Sequence, residues 1–400
     1  MSQSAAEKPP VNWLAAIVLI STPIAALILL PLYAWHFDFS TASIVLMVVY
    51  LYANGLGMTM GYHRLWAHRA YEAHWLVEVV LMLCSTAAIQ NSILVWASGH
   101  RTHHRFVDDV HKDPYSAKRG FWFSHMGWML RNYESGKSDF SNAPDLLNNK
   151  IVMFQHNHYV PLVLLMNFGV PFLAGWLVGD VWGTVLLMGL VRLVLSHHFT
   201  FFINSLAHIW GKQPYTDENT ARDSFVLALL TYGEGYHNFH HIFQYDYRNG
   251  VKWWQFDPTK WLILSLSWVG LTKNLKRVPD FTIRKAQLQM QFKRAQQELE
   301  TSASRFPMMD VDAFKQRMSK EYDTFLATLN EWGKLKEEWY AEKKQEIADK
   351  KQAFADKRLA LALKWEEASF KTRFNEIEYR LKMQSRRMEL LMRQMLPVSA

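Results

Sequence analysis

The stretch Trp75–Ser98, "WLVEVVLMLCSTAAIQNSILVWAS", decides the fold of this chain. By length it could cross a bilayer, since about 20 apolar residues suffice. It also carries Glu78, Gln90 and Asn91, each costly in hydrocarbon. "HRLWAH" (63–68) precedes it and "HRTHH" (100–104) follows it. A crossing would put these two histidine-rich stretches on opposite sides of the membrane. If the histidines act together, the run stays on one side, as helical segments lying at the interface or buried against true spans.

Those spans are legible on both sides of it. "WLAAIVLISTPIAALILLPLYAW" (13–35) and "ASIVLMVVYLYANGLGMTMGY" (42–62) are joined by "HFDFST". "YVPLVLLMNFGVPFLAGWLV" (159–178) and "VWGTVLLMGLVRLVLSHHFTFFINSLAH" (181–208) are joined by "GD". Neither connector holds Lys or Arg, whereas 63–158 and everything after 208 carry nearly all the basic residues. The cytoplasmic bias of Lys and Arg predicts two hairpins, with both termini and all large connections in the cytoplasm. The first run is too long for a cleaved signal peptide and lacks a basic n-region. The expected fold is an all-α membrane protein. It has four transmembrane helices in two hairpins, a cytoplasmic helical cap and a long C-terminal amphipathic helical extension. The expected divisions are a tail over 1–12, a membrane domain over 13–280 and the extension over 281–400.

The formal charge of +8 suits anionic lipid, a polyanionic substrate or an acidic partner. No nucleic-acid-binding motif is present, so nucleic acid is not an expected partner. The single cysteine, Cys84, excludes an intrachain disulfide and a thiolate-held iron–sulfur cluster. Any electrons must therefore arrive from another molecule. In 281–396 apolar residues recur at helical spacing: Phe314, Met318, Tyr322, Phe325, Leu329, Trp332, Leu335 and Trp339. Pro307 breaks the run and Asp310 could cap a second helix. The stripe predicts an amphipathic helix pair that docks on the catalytic domain, on the bilayer, or on a second chain. Self-association through these helices is thus one of the expected partnerships.

All 17 histidines lie before residue 242. The pattern H-x-x-H-H occurs at His100, His103 and His104, and again at His237, His240 and His241. Chance would supply such a pattern on the order of 0.03 times at this histidine frequency, which makes two of them a strong motif. Positions i, i+3 and i+4 share one helix face, so each triplet can aim three imidazoles at one locus. His63 and His68 diverge on an ideal helix and need a helix end or an unwound turn, which Gly57 and Gly61 would ease. Eight imidazoles exceed the roughly four to six ligands of one divalent ion, so two metals fit better. A hydrolytic zinc site needs three protein ligands and a water. A nearly all-nitrogen dinuclear set points instead to redox iron and oxygen chemistry. His36 and His74 read as interfacial or polar contacts, His156 and His158 in "QHNHY" could pass for ligands, and His197 and His198, ionisable inside the fourth span, are functional by default but rank below His208 as ligands.

The order H-x-x-x-x-H, H-x-x-H-H, H-x-x-H-H among paired spans resembles the membrane-bound fatty acid desaturases. "GYHRLWAHRAY", "GHRTHHRF", "DPYSAKRGFWFSHMGW" and "GEGYHNFHH" are similar to the acyl-CoA Δ9, stearoyl-CoA-type branch. The resemblance covers about 40–260 and leaves the C-terminal region out. It implies a ninth ligand, His208 in "NSLAH", and a water-mediated contact from Asn204. The implied centre is two irons held by His63, His68, His100, His103, His104, His208, His237, His240 and His241, with dioxygen as co-substrate. It further implies a bent apolar tunnel with Gln90, Trp96 and Thr200 at the bend and Asn91 near the thioester. Lys118 and Arg119 would meet the CoA phosphates, and Met47 and Leu51 would set the tunnel's length. Phe201 stands where the family usually has Trp. Ser98 and Gly99 replace an Arg-Asp pair that vertebrate-type members use on the CoA headgroup, which leaves the acyl carrier open between CoA, a carrier protein and a phospholipid.

The implied reaction is oxygen-dependent desaturation of a saturated acyl chain, cis-Δ9 in the first instance. No "HPGG" heme stretch and no Gly-rich nucleotide motif is present, so a ferredoxin, cytochrome or flavoprotein reductase is the expected electron donor. An acyl-lipid or acyl-carrier-protein desaturase, and a histidine-box hydroxylase or alkane monooxygenase, share these motifs. A non-catalytic scaffold is the reading from a different class, and metal content separates it from an enzyme.

Overall fold

In the computed structural model, helix α1 (Trp13–His36) begins at Asn12, whose Oδ1 accepts from Ala15 N–H at 3.3 Å. Helix α2 (Thr41–Ala67) begins at Ser40, whose Oγ accepts from Ser43 N–H at 3.0 Å. The structure describes residues 8–301, 311–350, 372–373, 375–384, 386–387 and 390. The sequence readings at Pro307, Asp310 and the first seven residues lie outside these.

Among the described residues four helices are long and apolar enough to cross a membrane. They are α1, α2, and two that follow the first cap segment, Tyr159–Val178 and Val181–Ile209. Their outward faces carry exposed Leu, Ile, Val, Phe and Trp. The chain is an all-α membrane protein with two span hairpins. The hairpins are joined at the turn side by Asp180. Its carboxylate accepts from Tyr33 Oη at 2.9 Å, Ser40 N–H at 3.2 Å and Ser43 Oγ at 2.7 Å, while capping the fourth span through Gly183 N–H at 3.0 Å.

The ambiguous run does not cross. It divides into α3 (Trp75–Thr86) and α4 (Ile93–Phe106) around a loop. The 12 residues of α3 reach only about 18 Å, against a hydrocarbon core of about 30 Å. The Glu78 and Gln90 side chains find partners, and Asn91 is held by its backbone. Glu78 accepts from Asn149 Nδ2 at 3.2 Å, Gln90 donates to Thr200 at 3.1 Å, and the Asn91 carbonyl accepts from Tyr62 Oη at 2.9 Å. Ile89 and Asn91 both have positive φ, 51° and 69°, so the loop turns sharply on either side of Gln90.

The third and fourth spans are α5 (Tyr159–Val178) and α6 (Val181–Ile209). Arg192, fully buried in α6, holds the turn between α3 and α4. It donates to the carbonyls of Ala87 at 2.7 Å and Met188 at 2.9 Å, and to Asn167 Oδ1 at 2.6 Å. A short helix α7 (His237–Ile242) carries the third histidine motif. Asp223 Oδ1 accepts from Asn238 and Phe239 N–H at 2.8 and 3.1 Å and fixes its first turn. Helix α8 (Pro258–Trp268) then leads to a two-residue strand, β2 (Thr272–Lys273), which pairs antiparallel with β1 (Glu72–Ala73). The main core gathers residues of α2, α3, α4 and α8 around Tyr62, Trp66, Leu81, Ile93 and Ile263.

The chain divides into two compact units, Met1–Val278 and Pro279–Ala400. In the second, α9 (Asp280–Thr301) and α10 (Val311–Lys350) bury Leu288, Phe325, Leu329, Trp332 and Leu335 together with Ile377 and Leu381. The apolar stripe read in the sequence thus finds a partner inside its own unit.

Candidate metal centre

Three stretches of local structure aim the histidines. The segment Gly57–Ala67 of α2 is wound as a wide π-type turn, and His68 N–H donates to the His63 carbonyl five residues back at 3.0 Å. That winding brings two histidines five apart to the same side, which an ordinary α-turn would not do. The glycines act differently from expectation. A Cβ at Gly57 would lie 2.7 Å from Ser85 N, and one at Gly61 would lie 2.9 Å from the Trp66 ring and 3.2 Å from Leu81 Cβ. They let α3 and Trp66 close on α2. Arg101 clamps the end of the turn, donating to the carbonyls of Trp66 and Ala67 at 2.7 and 2.9 Å and pairing with Asp145 at 2.7 Å. The two H-x-x-H-H motifs sit on α4 and α7, and His208 closes α6 beyond a break at Ser205.

Nine histidines converge in two groups. One holds His63, His68, His100, His104 and His240; the other holds His103, His208, His237 and His241. They meet through Nε2 atoms: His63–His240 at 3.0 Å, His68–His100 at 2.9 Å, His104–His240 at 3.0 Å, His208–His237 at 3.1 Å, His237–His241 at 3.0 Å and His103–His241 at 3.4 Å. A metal with imidazole nitrogens at about 2.1 Å places neighbouring ligands about 3.0 Å apart at right angles. The donor set and its spacing fit divalent cations.

Protonation fits as well. His103 Nδ1 lies 2.9 Å from Asp113 Oδ1, and a carboxylate only accepts, so the proton sits on Nδ1 and the Nε2 lone pair faces the group. His100 Nδ1 meets Tyr115 Oη at 3.0 Å. His63 Nδ1 lies 2.8 Å from Glu234 Oε2, off the line of a hydrogen bond. Burial, and then the neighbouring imidazoles, hold His100, His104, His237, His240 and His241 well below the usual histidine range. These rings are neutral at physiological pH, as metal ligation requires. Burial pushes the Glu234 carboxyl up, but His63 and Arg64 together outweigh it and keep it ionised.

Beside the five-histidine group runs a cavity of about 640 Å³. Gln90, Asn91, Trp96, Thr200 and Asn204 all line it, as do His63 and His100. Gln90 Nε2 donates to Thr200 Oγ1 at 3.1 Å, and the Trp96 ring stacks on His100 with centroids 4.8 Å apart. Phe201, Ser98 and Gly99 also line it. Lys118 and Arg119 are not in the lining; the Arg119 guanidinium lies over the Phe123 ring at 3.5 Å. The basic residues in the lining are Arg131 and Lys137. Met47 and Leu51 are absent from it too, and on α2 the lining starts at Gly55. His156, His197 and His198 stay outside both groups, bonded to Ser92 at 2.7 Å, the Ala88 carbonyl at 2.7 Å and His125 at 3.0 Å.

Sequence reasoning missed Asp113, Tyr115 and Glu234 behind the ligands, and Arg131 and Lys137 in the cavity. Glu234 stands three residues before His237 and could have been flagged as an outer partner. Asp113 and Tyr115 open the stretch "DPYSAKRGFWFSHMGW" that carries the family resemblance, but a loop without periodicity gave no sign that they stand behind histidines.

Residues 39–267 match the family model described as fatty acid desaturase. The chain is 40% identical over 309 residues to a probable acyl-CoA desaturase of Schizosaccharomyces pombe, covering 76% of this chain and 64% of the relative. It is 39% identical over 290 residues to acyl-CoA desaturase 1 of Saccharomyces cerevisiae, covering 71% and 55%. With human stearoyl-CoA desaturase 5 it shares 37% identity over 240 residues, 58% of this chain and 72% of the relative. The chain thus spans a little over half to about two thirds of the length of the two yeast relatives.

Proposed function

The chain belongs to the fatty acid desaturase family, and from that premise we propose that it is an oxygen-dependent desaturase of a saturated fatty acyl chain, acting as cis-Δ9 on acyl-CoA. The observation that carries the proposal is the convergence of nine imidazole Nε2 atoms beside an apolar cavity. The nine histidines are proposed as the ligands of two irons, with Asn204 contributing through water. The irons, when bound, supply the oxidising power that unactivated methylenes demand. In balance, one CH2–CH2 unit, O2, two electrons and two protons give one CH=CH and two waters. The two electrons come from a separate ferredoxin, cytochrome or flavoprotein reductase.

The protein's own residues hold the chain in place. The apolar walls exclude water, and the Gln90–Thr200 bond with Trp96 against His100 shapes the lining beside the histidines. A fixed bend favours one rotamer about the reacting bond, which favours a cis product. Asn91, Arg131 and Lys137 are available to a polar headgroup along the same cavity. Lys118 and Arg119 lie outside the lining and would act only on the outer part of a carrier. The basic bias of the cap supports a cytoplasmic centre with both termini on the same side.

Expression in a desaturase-deficient host, with mass spectrometry of double-bond position and lipid class, tests this. A cis-Δ9 olefin in the acyl-CoA pool is the expected product. An alcohol without olefin would make the chain a hydroxylase, and an olefin made only on intact phospholipid would move the substrate to acyl-lipid.

A further inference from the structure

The two histidine groups differ in what stands behind them. Behind the five-histidine group stands Glu234, 2.8 Å from His63 Nδ1, and its charge is met by Arg64 at 2.9 Å. Behind the four-histidine group stand two carboxylates. Asp113 Oδ1 accepts from His103 Nδ1 at 2.9 Å. Asp108 reaches His208 through Thr220. Thr220 Oγ1 donates to Asp108 Oδ1 at 2.6 Å, Thr220 N–H donates to Asp108 Oδ2 at 2.7 Å, and His208 Nδ1 lies 2.9 Å from Thr220 Oγ1.

A hydroxyl has one hydrogen to give. Once it goes to Asp108, Thr220 Oγ1 offers His208 only lone pairs. His208 Nδ1 must then carry the proton, and its Nε2 must present a lone pair to the group. Asp108 N–H donates to Asp113 Oδ2 at 3.0 Å, so the two acids form one unit. Asp108 holds that place at φ 68°, a conformation that has a cost outside glycine.

Both carboxylates are buried, with Asp108 6% and Asp113 0% exposed. Among the described residues neither forms an ion pair with Lys or Arg, and their partners are N–H groups, a hydroxyl and an imidazole. A buried carboxylate without a cation is strongly disfavoured. These acids point toward His103 and His208, so a cation held by the four-histidine group would balance their charge.

Resting on the di-iron reading, we propose that Asp113, and Asp108 acting through Thr220, are positioning residues that complete the four-histidine group as a divalent-cation site. They fix two imidazole tautomers and supply there the negative charge that compensates for one imidazole fewer. Outer carboxylates of this kind raise ligand basicity, and their loss typically weakens metal binding by about 10- to 100-fold.

The test uses the full chain in detergent, stripped of metal and titrated anaerobically with ferrous iron against a competing chelator. Wild type is expected to bind two ions. Thr220→Val and Asp113→Asn should each weaken one ion by about 10- to 100-fold. Thr220→Ser, which keeps the hydroxyl, should bind like wild type, and this rescue separates the relay from simple packing. The Thr220→Val/Asp113→Asn double variant should still hold one ion tightly, whereas Thr220→Val/Glu234→Gln should weaken both. Wild-type affinity for both ions in Thr220→Val overturns the proposal, as does equal weakening of both ions or loss of binding in Thr220→Ser. A wild-type chain that binds no iron would sink the di-iron reading itself. Two ions in wild type beside an indifferent Thr220→Val would sink only the relay.

Discussion

Arg64 is 1% exposed and touches two carboxylates, Glu234 at 2.9 Å and Asp257 at 3.0 Å. Replacing it with Met strands both acids beside the five-histidine group. Arg64→Met should cost about 3–5 kcal/mol of stability, as stranded buried charges do. The measurement is the unfolding midpoint of purified protein in detergent, and an unchanged midpoint would refute this role. A second expectation concerns pH. Burial keeps His100, His104, His237, His240 and His241 neutral, whereas histidines of an unfolded chain take up protons near pH 6.5. Below about 6.5 the unfolded state binds protons that the folded state does not, so stability falls as pH falls. It is fully present above about pH 7, and each such ring can remove up to about 1.4 kcal/mol per pH unit below that. Thermal unfolding of metal-stripped protein across this range reads the slope, and a flat profile would contradict it. At this scale the two H-x-x-H-H triplets were legible because their spacing in sequence is their spacing on a helix. Asp108, Asp113 and Thr220 were not: Asp113 and Thr220 lie 10 and 12 positions from the histidines they meet and Asp108 lies 112 from Thr220, in loops whose paths only the folded chain defines.

Among the elements, the wide turn of α2 and the broken run between α3 and α4 position everything else. The turn depends on α3 lying close against it. Gly57→Ala would set a methyl 2.7 Å from the Ser85 backbone nitrogen, which cannot swing away as a side chain can. The variant should lose about 1–3 kcal/mol by overpacking, with less iron per chain as His63 and His68 move apart. Iron content beside a melting curve checks both effects, and wild-type values in both would show that the helices can separate without harm. The α3–α4 run was readable as non-crossing from three polar residues and from the need to keep two histidine stretches together. Its sharp turn at Ile89–Asn91, and the Arg192 that holds it, were not. An arginine in a span gives no sequence signal of which carbonyls it will satisfy.

At the scale of the whole molecule, the nine histidines and the cavity belong to the first compact unit, and the second has its own apolar core. A chain ending at Val278 should therefore keep its full iron content. Metal analysis of that truncation is the check, and loss of iron would mean that the second unit supports the centre. The sequence reading left the C-terminal stripe looking for a partner. Amphipathic periodicity shows only that a face must be covered; in the structure Leu288, Ile377 and Leu381 cover it from within the unit.

The sequence by itself determined the class of the fold, the four spans and the two H-x-x-H-H triplets, because apolar length and helical spacing are local properties of a chain, while His208 was implied only by the family resemblance. It did not determine how nine histidines divide into five and four, since His103 leaves its neighbours His100 and His104 to join His208, His237 and His241. That division depends on where α4, α6 and α7 cross. The tertiary structure also decided that Glu234 pairs with Arg64, whereas among the described residues neither Asp108 nor Asp113 pairs with Lys or Arg. Charge compensation is a matter of distance in space, and these partners are up to 170 residues apart in the chain.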